Sequence, residues 1–417
     1  MKKKFILIIL AVLWLSPHAG QAQRDTLRIV TYNVLKFPGN AGAERIKYFR
    51  TVFRALQPDI LVVQELETAT GLQRLLNETM NIDGKDYYDA APFLNGPDTD
   101  SGLIFNRDKV DLLAATSIRT TLRDIVEYRL RTGKVYFNIY SLHLKAGQQI
   151  ENQNQRAREA SVLRQYLNDL PSGAAAIVLG DFNLYGTYES AFNILTGEQA
   201  DNDGRLFDPI SAVGTWHNNQ LFARIHTQST RTTVLSDEGS PGGLDDRFDM
   251  ILVTAALLEP RAIWILKDSY AAFGNDGRHF NKSINEGKNY AVPDSIADAL
   301  YYASDHLPVV ADFVVDQATG IAGTREPVAR DYHLIKSYPN PFHGSTTVQF
   351  TLNRSAPVRL YLYDLLGREV RRIYEGELAA GEHAVSLDAA GLPAGLYFIK
   401  GWLGNRPVQL KMLHIPW

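Results

Sequence analysis

The sequence predicts a large α/β domain followed by a small all-β module. Two observations carry this. From Arg24 to about Asp316, short apolar runs rich in Val, Ile and Tyr alternate with stretches of helical spacing. From about residue 337 the helical spacing disappears, and short alternating runs follow one another between turn residues. With 417 residues, 45% hydrophobic and 21% charged, the chain is too long for one ordinary domain and too balanced to be disordered.

In chain order, the first segment reads as an export signal. Lys2, Lys3 and Lys4 form a basic end, Phe5 to Leu15 an apolar run, and Gly20-Gln21-Ala22 a small-x-small cleavage site. The run is well short of the ~20 residues that span a bilayer, so residues 1–22 are expected to be removed. Strands are expected at Arg28 to Tyr32, Ile60 to Val63, Val135 to Leu142, Ala176 to Leu179, Met250 to Val253 and Val309 to Val315. Helices are expected where Ile46, Phe49, Phe53 and Leu56 recur before Pro58, and where Leu163, Tyr166, Leu167 and Leu170 recur before Pro171. A linker over 317–336, with Gly320, Gly323 and Pro327, closes the domain at 24–316. In the module at 337–417, strands are expected at Val348 to Leu352, Val358 to Tyr363, His383 to Leu387, Leu396 to Trp402 and Val408 to His414.

Composition excludes several chemistries. Cysteine is absent, which removes disulfides, thiolate zinc sites and a cysteine nucleophile. The formal net charge is −3, so overall basicity gives no argument for a nucleic-acid or anionic-membrane partner.

The polar residues that remain gather at strand ends. Tyr32-Asn33 closes the first strand, Gln64-Glu65 the second, Ser141-Leu142-His143 the third and Gly180-Asp181-Phe182-Asn183 the fourth; Asp249 opens another, and Ser304-Asp305-His306 precedes the last. An α/β sheet brings such residues to one edge. Carboxylate and amide oxygens favour Mg²⁺, Mn²⁺ or Ca²⁺ over zinc, and such a cation beside a general base suits attack on a phosphate ester. Singly, each motif has an ordinary structural explanation. Gly-Asp-Phe-Asn reads equally as a turn, His143 as a satisfied structural histidine, Glu65 as a strand emerging into water and Asp249 as a partner of Arg247.

Taken in order, these motifs resemble the endonuclease/exonuclease/phosphatase superfamily over residues 26 to 315. The resemblance implies a four-layered α/β/β/α sandwich with its site at one open end. It implies that Asn33, Glu65 and Asp305 hold a divalent ion, Mg²⁺ or alternatively Mn²⁺ or Ca²⁺. His143 and Asn183 would contact the phosphate, Asp181 would orient the attacking water, and Asp249 would orient His306. Either His306 or Asp181 can serve as the base. Lys145 or Arg231 would clamp a second phosphate oxygen, the latter from a loop formed by Thr227 to Arg231 with Gly242 to Arg247 and expected to reach over the site.

For the substrate, the Ser-Leu-His form at 141 to 143 departs from the Pro-Asn-Ala-like pattern of abasic-site endonucleases, which argues against DNA repair, as does export. Arg24 through Asp316 holds 29 Lys and Arg against 38 Asp and Glu, 29 − 38 = −9, which disfavours salt-driven binding of a polyanion. A secreted nuclease acting on DNA or RNA is the first expectation. A phosphomonoesterase or sphingomyelinase-like lipid phosphodiesterase is the second. A non-catalytic surface binding module is a third, opposed by the full set of motif residues. Tyr338-Pro339-Asn340-Pro341-Phe342, Leu360 to Val370, Leu392 to Tyr397 and Val408 to Met412 look like the C-terminal sorting domain of the type-nine secretion system of Bacteroidetes. This implies a small β-sandwich, the outer-membrane secretion machinery as partner, and a secreted or cell-surface location without a membrane span. Apart from Trp402 and scattered tyrosines, few side chains of this module point to a sugar platform.

Overall fold

The computed structural model describes residues 24–317, 332–352, 355–404 and 406–415. The expected export signal and most of the expected linker lie outside the described residues. The chain forms two compact units, divided between Arg325 and Glu326.

The first unit is α/β and four-layered. One six-stranded sheet contains β1 (Arg24–Phe37), β2 (Ile60–Leu66), β3 (Tyr88–Ala90), β4 (Asp100–Asn106), β11 (Ile263–Ala272) and β12 (Val309–Asp316), in the order β11-β12-β1-β2-β4-β3. The other contains β5 (Asp111–Ile118), β6 (Ile125–Thr132), β7 (Val135–His143), β8 (Ala176–Asp181), β9 (Leu206–Phe207) and β10 (Asp249–Thr254), in the order β5-β6-β7-β8-β10-β9. Alternation along each strand sorts side chains between layers. Leu27, Ile29, Ile60, Val62, Ile139, Ile177, Leu179 and Ile251 meet between the sheets. On the outer face of the first sheet, Val30, Tyr32, Leu61 and Val63 pack under α1 (Gly42–Leu56), α2 (Ala69–Leu75) and α5 (Asp294–Ala303). On that of the second, Tyr140, Leu142, Ala176 and Val178 pack under α3 (Ile150–Asn168) and α4 (Ser190–Thr196). Truncating one of these fully buried side chains, Ile139→Ala for example, costs about 2–5 kcal/mol.

The α1 helix shows how local sequence sets an element. Ile46, Phe49, Phe53 and Leu56 make one buried stripe, and Pro58 disfavours helical geometry at Gln57. Gln57 turns left-handed at φ 48° and its N–H closes on the Phe53 carbonyl. The parallel pairings β1·β2 and β7·β8 end side by side, and this is where the polar strand ends collect. Strands β4 and β6 escaped the sequence reading because their buried runs are interrupted by polar residues such as Asp100, Ser101 and Glu127, and β11 because its middle, Leu266 to Asp268, is exposed.

The second unit is all-β, with sheets β13-β14-β17 and β16-β15-β18-β19. Its strands are β13 (Tyr332–Tyr338), β14 (Ser345–Leu352), β15 (Ala356–Tyr363), β16 (Glu369–Leu378), β17 (Gly381–Asp388), β18 (Gly395–Leu403) and β19 (Arg406–His414). Phe342, Val348, Phe350, Val358, Leu360, Ile399 and Met412 form its core. The β15–β16 turn places Gly367 at φ 76° while Asp364 accepts from the Leu366 and Arg368 amides.

Candidate active site

Two irregularities at the strand ends build the site. Register breaks between Asn33 and Phe37 and between Val63 and Leu66, and Glu65 sits at φ 61° with Leu35 and Lys36 also left-handed. Such a bulge re-aims side chains at the cost of backbone strain. The Glu65 carboxylate is thereby aimed at β1, where Oε1 accepts from Asn33 Nδ2 at 3.0 Å and Oε2 from the Lys36 amide at 3.1 Å. The Asn33 amide nitrogen donates in turn to Asp181 Oδ2 at 3.1 Å. On β8, Asp181 Oδ1 accepts from the Asn183 amide at 3.0 Å, with Asn183 at φ 51°, so an Asx turn holds this carboxylate.

The histidines complete the cluster. His143 Nε2 lies 3.8 Å from Glu65 Oε1 and 3.5 Å from Asp181 Oδ2. His306 donates from Nδ1 to Asp249 Oδ2 at 2.7 Å, and its Nε2 is 3.7 Å from Asp181 Oδ2. The alternative pairing of Asp249 with Arg247 does not occur. Arg247 is buried against Asp208 in a two-toothed pair at 2.8 and 2.9 Å and covers the Trp216 ring.

Burial governs the charges. It pushes the Asp181 carboxyl up to about 7; His306 opposes this, and Asp249 and Glu65 add to it. It drives His143 well below the ordinary histidine value, with Arg123, His306 and Lys145 acting in the same direction. For His306 burial works against the charged ring, but the Asp249, Asp305 and Asp181 carboxylates carry it well above its ordinary value.

A cavity of about 280 Å³ opens onto this cluster, lined among others by Lys36, Glu65, His143, Asp181, Asn183, Gln228, Asp305 and His306. Glu65, His143 and Asp181 offer ligand atoms within 4.8 Å of one another, as do Asp181, Asp249 and His306. Buried oxygens Asp249 Oδ1 and Asp305 Oδ1 lack a partner. Surplus carboxylate oxygen held this closely fits a hard divalent cation.

Oδ1 of Asn33 accepts from the Leu35 amide at 2.9 Å, which leaves that oxygen a second lone pair. Asp305 lines the cavity outside both triads; its Oδ2 accepts from Gln228 Nε2 and the Ser240 amide, and its Oδ1 has no partner. One expectation changes. Arg231 does not face the substrate space: it is wholly buried and spends Nη1 on Asp237 at 2.9 Å. Its loop is an inner wall rather than a cover, since Thr227, Ser229 and Thr230 are also buried. Lys145 immediately precedes Ala146 of the cavity wall and reaches the site through its charge.

Sequence reasoning missed Gln228, whose backbone bridges His306 on one side and Asp246 on the other and whose amide reaches His306 Nε2 at 2.7 Å. It also missed Lys36, which stands three residues after Asn33, and His217, which pairs with Asp246 at 2.8 Å beside the Tyr185 ring.

Residues 30–306 match the Endonuclease/Exonuclease/phosphatase family, and residues 336–413 match the secretion system C-terminal sorting domain. No curated protein matches the chain. Among solved structures, D. rerio TDP2 complexed with a single-strand DNA product is 18% identical, covers 69% of this chain and 98% of its own, and has a TM-score of 0.48. The human Nocturnin catalytic domain with bound sulfate is 20% identical over 70% of this chain and 97% of its own, TM-score 0.42. The mannosyl-6-phosphatase of Bacteroides thetaiotaomicron is 15% identical over 69% and 99%, TM-score 0.43. The sorting domain marks export by type IX secretion to the cell surface or outside, and no helix among the described residues is long and apolar enough to cross a membrane. The chain belongs to the endonuclease/exonuclease/phosphatase family and is an enzyme that hydrolyses phosphate ester bonds.

Proposed function

We propose that the protein is a divalent-cation-dependent phosphoesterase acting outside the cell, which cleaves its ester by direct in-line attack of water. The observation that carries this is the convergence of Glu65, His143, Asp181, Asp249 and His306 on one cavity. Glu65 and Asp181, with His143 beside them, would hold the cation. When bound, it would polarise a phosphoryl oxygen and offset charge that builds up on attack.

The remaining work falls to the protein's own groups. Beside the cation, the Asp181 carboxylate would orient the attacking water and receive its proton. Asp249 fixes the His306 ring through Nδ1, and at Nε2, which the Gln228 amide meets at 2.7 Å beside the cavity, a cationic imidazole would face the anionic substrate. Asn33 supplies one N–H₂ group to both Glu65 and Asp181 and so keeps the two carboxylates at a set separation. No covalent enzyme intermediate is required.

The walls favour a small phosphate ester over a polynucleotide. Lys36 is the one Lys or Arg lining the cavity, against Glu65, Asp181, Glu238 and Asp305, a poor surface for a string of phosphates. The test is hydrolysis by the mature chain of p-nitrophenyl phosphate, bis-nitrophenyl phosphate and plasmid DNA, with Mg²⁺, Mn²⁺, Ca²⁺ or EDTA. The reading predicts cleavage of a nitrophenyl ester that EDTA abolishes and added cation restores. Inertness toward every ester and cation would overturn it, and DNA nicking as the dominant activity would restore the nuclease.

A further inference from the structure

We propose that Arg231 is a positioning residue: its buried ion pair with Asp237 braces residues 228–240 as a clasp on Asp305, and the clasp leaves Asp305 Oδ1 for the divalent cation. This role presupposes the cation-dependent phosphoesterase proposed above. A carboxylate that meets a cation in one place has to be kept from turning, and its other oxygen is where it is held. Asp305 Oδ2 accepts from Gln228 Nε2 at 3.2 Å and from the Ser240 amide at 2.8 Å. Its buried Oδ1 has no partner. Both donors belong to one stretch of chain, one at each end.

The ion pair explains why that stretch closes. Arg231 is wholly buried, and its Nη1 donates to both Asp237 oxygens at 2.9 Å. Nε and Nη2 have no hydrogen-bond partner, so Asp237 is the one ion-pair partner of this guanidinium among the described residues. A charge this deep is tolerated only with its counter-charge in contact, and the chain therefore returns within 6 residues to bring Asp237 inside. The return carries Gly239 and Ser240 onto Asp305. Asp237 Oδ1 accepts from the Gly239 amide at 3.2 Å, and the Ser229 hydroxyl donates to the Ser240 carbonyl, which fastens the two ends together. The near end is tied to the same segment, since Thr230 donates from its amide to the Asp305 carbonyl at 3.0 Å and from its hydroxyl to the Ser304 carbonyl at 2.6 Å. Packing is close: a Cβ at Gly239 would stand 3.1 Å from Asp305 Cβ and 2.7 Å from Leu35 Cδ2.

Arg231 is not part of the cavity wall, so it acts through Asp305 and not on the substrate. Without its charge Asp237 is released, residues 238–240 lift, and Oδ2 loses the Ser240 donor. Asp305 then turns freely, and the cation loses a fixed oxygen. Loss of an outer partner of this kind weakens metal affinity about 10–100-fold.

The experiment is Mn²⁺ binding by the mature full-length chain, read from the paramagnetic resonance of free Mn²⁺, with circular dichroism as the check on folding. Asp305→Asn, Arg231→Met and Gly239→Ala are each expected to raise Kd about 10–100-fold. Gly239→Ala presses on Asp305 without removing the ion pair, and keeps the test open if Arg231→Met fails to fold. Arg231→Lys, which keeps a cation for Asp237, should recover most of the loss. In hydrolysis of p-nitrophenyl phosphate, Arg231→Met and Gly239→Ala should raise the Mn²⁺ concentration for half-maximal rate by the same factor and leave kcat at saturating Mn²⁺ nearly unchanged. A purely structural arginine would not produce that split. Wild-type affinity in Asp305→Asn, in folded Arg231→Met or in folded Gly239→Ala, or no recovery with lysine, would overturn the role of Arg231 alone. A wild-type chain that binds no Mn²⁺ would overturn the cation-dependent function along with it.

Discussion

Asp181→Asn should make the protein more stable and much less active, with the gain in stability confined to higher pH. Asp181 is 2% exposed, and burial holds its carboxyl up at about 7, with Asp249 and Glu65 adding and His306 opposing. An unfolded aspartate titrates near ~3.9, so the gap of about three pH units at ~1.4 kcal/mol per unit amounts to ~4 kcal/mol. The folded value is raised, so the folded state holds the proton more tightly. The group's favourable contribution is complete below about 4, declines as pH rises, and is gone above about 7. Asparagine escapes this loss but gives up the 3.1 Å bond from Asn33, a cost of about 1–2 kcal/mol. The net is ~2 kcal/mol in favour of the variant at pH 8, or roughly 5 °C in melting temperature for a domain of this size. Thermal denaturation with EDTA at pH 8 should show that shift, and at pH 5 the two proteins should melt together. Turnover should fall at least a hundredfold. A variant less stable than wild type at pH 8, or one with near-normal turnover, would refute the electrostatic account.

Other outcomes follow from the same structure. His306→Ala should lower kcat at least a hundredfold and leave the protein folded, because the ring contributes charge and proton traffic more than packing; hydrolysis of a nitrophenyl ester checks it. Arg156→Met should destabilise by about 3–5 kcal/mol in urea titration. Arg156 is fully buried, pairs with Glu189 at 2.7 Å, and donates to the Lys145 and Gly147 carbonyls beside the cavity wall. Removal of residues 337–417 should leave phosphoester hydrolysis intact and stop release across the outer membrane; secretion of the truncated chain at the normal level would exclude the sorting role.

The sequence alone determined the α/β character of the first unit, the all-β character of the second and the strand-end positions of Asn33, Glu65, His143, Asp181, Asp249 and His306. These are local properties: buried runs, turn residues and periodicity are written within a few neighbours. What a polar side chain does with its second atom is set by residues far away in sequence, and only the tertiary structure decided it. Asn33 gave its nitrogen to the Glu65 and Asp181 carboxylates while its oxygen met the Leu35 amide. Arg231 was withdrawn from the substrate by Asp237, and Arg247 left Asp249 free for His306 by choosing Asp208. Gln228 entered the site through two backbone bridges that no spacing announces. In the second unit, tyrosines that look scattered in the chain became one surface because sheet register, a long-range pairing, set Tyr363 beside Phe398 and Tyr361 beside Lys400.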